Sequence, residues 1–140
     1  MRALREAKAR LALYTALADI SGAWSLSQIT HALSQFAGDA VTTSLRHLLK
    51  QAAKRCEFTI SNESAPEENS GIIILGMGKL GGFELNYSSD IDLIILFDRE
   101  KLPYTGQRNA QHFMNKLATD LMTLMQERTS DGYVFRTDLR

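Results

Sequence analysis

Two aspartates separated by one residue, Asp90 and Asp92, stand at the entry of an apolar run that ends at Phe97. Side chains alternate across a strand, so both carboxylates would face one side while Ile91, Leu93 and Ile95 face the other. Two carboxylates side by side at neutral pH repel unless a cation screens them, and Mg²⁺, a hard ion with oxygen ligands, suits such a pair. A third acid, Asp138, falls in a late stretch where Val134, Arg136 and Asp138 alternate with Tyr133, Phe135 and Thr137. If the two stretches are neighbours, three carboxylates could hold two metal ions, one at an attacking oxygen and one at phosphates and a leaving group. Arg136 and Arg140 share the parity of Asp138 and could neutralise phosphate charge. The alternative is a set of solvated strand-end acids.

A second feature lies upstream, where Ile72-Ile73-Ile74-Leu75 runs into Gly76-Met77-Gly78-Lys79-Leu80-Gly81-Gly82. Missing side chains let backbone N–H groups approach an anion, and Lys79 adds a positive charge. Gly78, Lys79 and Gly81 are therefore candidate phosphate-binding residues, with Ser89, directly before the acids, as a further one. Two rival nucleotide folds compete for this segment. Gly76-x-Gly78-x-x-Gly81 is a literal dinucleotide-binding fingerprint, with Asp98 as its ribose acid. That reading needs a helix before Asp90, yet Gly82, Asn86, Ser88 and Ser89 are poor helix formers, and it leaves Asp90 and Asp92 without a role. A P-loop lacks its metal-binding hydroxyl, because Leu80 follows Lys79.

The elements that would position these residues follow from periodicity. Residues 3–20 carry Leu4, Ala7, Leu11, Tyr14 and Ala18 at helical spacing, with the Arg2–Arg10 basic cluster read as a solvated face. Ser25-Leu26-Ser27-Gln28 has capping-box spacing and opens a second helix to Gly38; Asp39 would cap a third, reaching Arg55. Residues 1–56 thus read as three packed helices, and 57–70, rich in Glu, Ser and Asn, as a solvated acidic linker. Strands at 72–75 and 91–97, a turn at 103–106, a covering helix at 107–127 and a strand at 133–139 make residues 71–140 an α+β core with a small mixed sheet. His31, His47 and His112 have no ligand-like spacing. Trp24 and Phe36 read as core anchors, as does the Met114, Met122 and Met125 stripe.

Composition narrows the function classes. The 140 residues carry 16 Lys+Arg and 16 Asp+Glu, for a formal charge of zero, which removes the bulk electrostatic argument for a nucleic-acid or membrane partner. The lone Cys56 excludes an intrachain disulfide and favours a reducing, cytoplasmic setting. No apolar run approaches a bilayer span or a signal-peptide core.

The run from Gly76 through Lys79, Gly82, Asn86, Ser88, Ser89, Asp90 and Asp92 to Ile94, followed by Arg128-Thr129-Ser130-Asp131-Gly132-Tyr133-Val134-Phe135-Arg136-Thr137-Asp138-Leu139-Arg140, resembles the nucleotidyltransferase core of bacterial glutamine-synthetase adenylyltransferase/adenylyl-removing enzymes, members of the DNA polymerase β-like superfamily. The resemblance covers residues 71–140. It implies attachment of AMP to a tyrosine of glutamine synthetase, or its removal by phosphorolysis with release of ADP, under a PII-type signal protein in the full-length enzyme. It also implies Asp90, Asp92 and Asp138 as a Mg²⁺-binding catalytic triad, and Gly78-Lys79 in the place of the superfamily's Gly-Ser pair, with Lys79 departing from that serine. The Asn86–Ser89 and Tyr133–Arg140 runs resemble the N-terminal, adenylyl-removing half. Such enzymes are several times longer, so the expectation is one piece of a larger polypeptide, truncated at the C-terminal end of its core and with little or no transferase activity by itself. The alternative is a non-catalytic interaction or regulatory module on the same fold.

Overall fold

A computed structural model describes residues 2–140. Helix α1 (Arg2–Ile20) and helix α2 (Leu26–Lys54) precede a three-stranded sheet of β1 (Ile72–Met77), β2 (Ile91–Phe97) and β3 (Thr137–Leu139). The one-turn helix α3 (Gly78–Gly81) follows β1, and α4 (Ala110–Gln126) lies between β2 and β3. The α+β reading therefore holds, with a helical segment ahead of the strands.

The expected second and third helices are one. Helix α2 starts at the Ser25–Gln28 capping box and runs through Gly38 and Asp39 without a break. A glycine in a helix costs only about 1 kcal/mol, whereas α2 buries Leu33, Ala37, Ala40, Val41, Ser44 and Leu45 on both sides of Gly38. Asp39 caps nothing; its carboxylate accepts a 3.1 Å hydrogen bond from Gln35 one turn earlier. A Cβ at Gly38 would meet no atom within 4 Å. Gly38→Ala is expected to stabilise the chain by about 0.5–1 kcal/mol, read as a melting temperature raised by a few degrees.

The sheet has order β1-β2-β3, with β1 antiparallel and β3 parallel to β2. Its inner face carries Ile72 and Ile74 of β1 and Ile91, Leu93 and Ile95 of β2, which join the core with α2 and α4. The two helices meet at Ser44 and Met125, whose Oγ and Sδ are 3.4 Å apart. The outer face is different: Ile73, Leu75, Met77 and Leu96 are all at least 39% exposed, and Asp92 lies among them.

Strand β3 is shorter than the alternation predicts. The N–H groups of Val134 and Phe135 both donate to the carbonyl of Met125, at 2.9 and 3.0 Å, so this stretch is tied to the end of α4 instead of to a neighbouring strand. Both side chains are buried, and regular alternation begins only at Phe135.

Residues 57–70 are anchored more firmly than a solvated connector would be. Phe58 is buried and stacks on Phe113, with ring centroids 5.8 Å apart, and Pro66 is fully enclosed. Arg46 of α2 donates from Nε to both carboxylate oxygens of Glu67 at 2.8 Å. These hydrogen bonds hold the Glu67 carboxyl below the usual glutamate range, with partial burial opposing them. A depressed acid pKa stabilises the fold above the unfolded-state value, and that contribution disappears as the pH falls through the lower folded-state value. The gap in melting temperature between the wild type and Glu67→Gln is expected to be full at pH 7 and to close on acidification below the ordinary glutamate range.

Candidate active site

The outer face at the β2–β3 end gathers the polar residues. Asp92 and Asp138 are register partners on adjacent parallel strands, and Ile91 pairs with Thr137. Paired residues present their side chains to the same face, so both acids lie on the outer one. The N–H of Ile91 donates to the carbonyl of Arg136 at 3.0 Å, which extends the pairing back to Asp90. Asp90, Asp92, Arg136, Asp138 and Arg140 thus lie together at one end of the β2–β3 pair.

The glycine-rich turn reaches the same place because Met77, the last residue of β1, is the register partner of Asp92. Gly78 follows with φ +54°, a left-handed conformation that favours glycine, and a Cβ there would lie 3.8 Å from Asp92 Oδ2. Gly81 closes the turn against β1: a Cβ there would be 2.5 Å from the carbonyl oxygen of Gly76. Lys79 is exposed on this turn.

The two arginines hold two of the acids. Arg136 Nε lies 2.5 Å from Asp90 Oδ1, and its Nη2 donates to the carbonyl of Ser88 at 3.2 Å. Arg140 approaches Asp92 Oδ1 through Nη2 at 2.9 Å and Nε at 3.0 Å. Asp138 is exposed and makes no ion pair among the described residues. Among those residues no group of three or more His, Cys, Asp or Glu is gathered tightly enough to hold a metal ion. The backbones of the acids are brought together, while the carboxylates of Asp90 and Asp92 turn to arginines. Ser89 is occupied locally: its hydroxyl accepts from the Asn86 N–H and donates to Asn86 Oδ1, both at 3.2 Å.

The antiparallel pairing of β1 with β2 removes the dinucleotide-binding reading, which requires two parallel strands joined by a crossover helix. Residues 82–90 contain no helix. Comparison with known proteins decides the family. A sequence model described as glutamate-ammonia ligase adenylyltransferase matches residues 1–140.

The chain belongs to the glutamate-ammonia ligase adenylyltransferase family.

Curated relatives in Bradyrhizobium diazoefficiens, Rhodopseudomonas palustris and Rhizobium meliloti, each named bifunctional glutamine synthetase adenylyltransferase/adenylyl-removing enzyme, are 46% identical over all 140 residues. Those 140 residues span 14% of each relative's length. Family membership covers the helical half too, where the motifs left off at residue 71.

That half holds what the motifs missed. The basic stretch of α1 is not a wholly solvated face: Arg5 is 6% exposed and Lys8 is half-buried, while Leu13, Tyr14, Leu17 and Ile20 face solvent. The Lys8 ammonium lies 4.4 Å from the Tyr133 ring centroid and 4.7 Å from that of Phe135. Burial first, and the neighbouring Arg136 second, push the pKa of Lys8 below the ordinary lysine value. No motif marks it, since a lysine in an amphipathic helix usually faces water. Trp24 also departs from expectation, being 39% exposed in the turn between α1 and α2, whereas Phe36 packs on the core beside Phe135.

Proposed function

We propose that this chain contributes the nucleotidyl-transfer site of an enzyme that moves AMP on and off a tyrosine of glutamine synthetase. The observation that carries this reading is the register of Asp92 against Asp138 on one side and against the Met77–Gly78 turn on the other. Transfer at a phosphorus needs carboxylates, a backbone cradle and positive charge to converge, and this end of the sheet holds all three. Asp90, Asp92 and Asp138 are the residues that would hold Mg²⁺; three hard oxygen donors on one face suit that ion once Arg136 and Arg140 release two of them. When bound, the ion would supply charge stabilisation at the phosphoryl oxygens. Gly78, Lys79 and Gly81 would line the phosphates of ATP or ADP, Arg136 and Arg140 would take up phosphate charge, and Ser89 would hold the loop ahead of the acids.

The direction we favour is removal. An oxygen of hydrogen phosphate bonds to the α-phosphorus of the AMP–tyrosine ester, the bond from that phosphorus to the phenolic oxygen breaks, and the proton of the hydrogen phosphate ends on the phenol. ADP and free tyrosine result. The Asn86–Ser89 and Tyr133–Arg140 runs support this half of the bifunctional reaction. Control by a PII-type signal protein and a cytoplasmic setting belong to the same reading, as does little or no transferase activity of the 140 residues alone. No helix among the described residues is long and apolar enough to cross a membrane.

One observation favours a second reading. The ion pairs Arg136–Asp90 and Arg140–Asp92 neutralise the acids, as a non-catalytic interaction module would need. Titration of the chain with ADP in the presence and absence of Mg²⁺, repeated on Asp92→Asn, separates the two. Metal-dependent nucleotide binding that the substitution abolishes supports the enzyme; binding indifferent to both supports the module.

A further inference from the structure

A cleft of about 710 Å³ opens between the end of α2, the segment that follows β2 and the first turns of α4. The N–H of Asp98 donates to the carbonyl of Gly71 at 2.8 Å, which fixes the exit of β2 beside the start of β1. Asp90 and Asp92 stand at the other end of this seven-residue strand, roughly 20 Å of extended chain away. None of the described residues that line the cleft belongs to the sheet or to the glycine turn. One wall is Tyr104, which bridges to Phe58 and stacks on Phe113 with ring centroids 4.7 Å apart. Leu48, Phe113 and Leu117, all buried, form an apolar floor.

The rim is cationic. Arg55, Arg108 and Lys116 all line the cleft, and the acids that line it with them are Glu57 and Asp120. Arg55 pairs with Glu57 at 2.8 Å and Lys116 with Asp120 at 2.9 Å, so both carboxylates are already engaged. Arg108 is the surplus cation: it has no acid within ion-pair reach among the described residues and donates from Nη1 to Nε2 of His112 at 2.6 Å. The Tyr104 hydroxyl is a second available donor. It makes no hydrogen bond among the described residues and lies against Gly106, where a Cβ would overlap it. A bare ion would fill a small part of this volume and leave the floor wet, and a neutral guest would gain nothing from Arg108.

We propose that this cleft binds a small organic anion, a phosphate ester or a carboxylate carried on an apolar ring. Arg108 and the Tyr104 hydroxyl hold the oxyanion, Lys116 adds positive charge, and the floor takes the ring. Phosphate and carboxylate present the same oxygen pair to a guanidinium, so the chemistry recognised is shared. The site is separate from the acids and the glycine turn and does not rest on the nucleotidyl-transfer reading.

Phenyl phosphate and benzoate are the probes, with inorganic phosphate lacking the ring and benzyl alcohol lacking the charge. Isothermal titration of the 140-residue chain is expected to show one saturable site for the preferred probe, with inorganic phosphate and benzyl alcohol each weaker by about fivefold or more, because each forfeits either ring burial or the charged contact. Tighter binding of phenyl phosphate assigns the occupant to phosphate esters, and tighter binding of benzoate to carboxylates. Arg108→Gln is expected to weaken the preferred probe about tenfold or more, the scale of a charge-assisted hydrogen bond. Arg10→Gln, which removes an exposed positive charge from α1, should leave it within about twofold. Thermal melts verify that both variants fold. Amide nitrogen–proton spectra locate the probe: the signals of Gly106, Arg108 and His112 are expected to shift, and those of Gly78 and Gly81 to stay. Each of four results overturns the proposal: no saturable binding, a folded Arg108→Gln with wild-type affinity, inorganic phosphate binding as tightly as the preferred probe, or shifts confined to the glycine turn.

Discussion

Asp92→Asn is expected to lower AMP removal by on the order of 10³-fold, the scale on which one preorganised charge-stabilising group contributes to a transfer reaction. Asp92 is singled out because it faces both other parts of the site: Asp138 is its register partner on β3, and Met77, at the mouth of the glycine turn, is its partner on β1. The amide keeps the shape of the carboxylate and removes its charge. Stability should barely move. The ion pair that is lost, Arg140–Asp92, has side chains 70% and 31% exposed, and solvent-screened pairs of this kind contribute at most about 1 kcal/mol. Release of ADP from an adenylylated tyrosine substrate, measured in the full-length Bradyrhizobium diazoefficiens relative with its matching 140 residues exchanged for these, gives the rate; a thermal melt of the 140-residue chain gives the stability. Asp120→Asn, which removes the same charge from the exposed Lys116–Asp120 pair on α4, serves as the control and should do neither. An Asp92→Asn enzyme working at the control's rate would remove the transfer reading.

Two adjacent glycines give the second large effect. Gly81→Ala is expected to cost about 2–3 kcal/mol, in the range for overpacking a tight contact, and to lower the melting temperature by roughly 10 °C for a domain of this size. The new Cβ would lie 2.5 Å from the Gly76 carbonyl oxygen. That atom belongs to β1, whose residue 76 is paired with Leu93 of β2, so relief requires moving a strand of the core. Gly82→Ala should be neutral or slightly stabilising. There the nearest atom to an added Cβ is 3.5 Å away, and the backbone, at φ −84°, suits alanine. Equal melting temperatures for the two variants would show that the turn yields more easily than its geometry implies. Because Gly81 closes the turn that brings Gly78 to Asp92, its replacement should also weaken nucleotide binding, whereas Gly82→Ala should not.

Much of this molecule is legible from local chemistry. The apolar run at Ile91–Phe97 and the alternation from Phe135 to Arg140 identify strands whose acids share a parity, since a period of two is a property of the extended chain itself. The capping box at Ser25 likewise marks the true start of α2, because its hydrogen bonds close within four residues. Local signals fail where a distant contact outweighs them. Gly38 is a sound helix terminator by propensity, but burial on both sides of it carries α2 through. Val134 and Phe135 have strand character, but their N–H groups are claimed by Met125 at the end of α4.

Local patterning in the chain supplies the members of the candidate site: which acids, which glycines and which arginines are available, and which of them share a parity. Tertiary structure alone decided their pairing. The register of Asp92 with Asp138, the antiparallel run of β1, the capture of Asp90 and Asp92 by Arg136 and Arg140, and the burial of Lys8 on two rings all join residues distant in the chain. Periodicity reports the conformation of a single segment, whereas register, ion pairing and desolvation depend on which segment lies opposite, and that is settled only when the whole core closes.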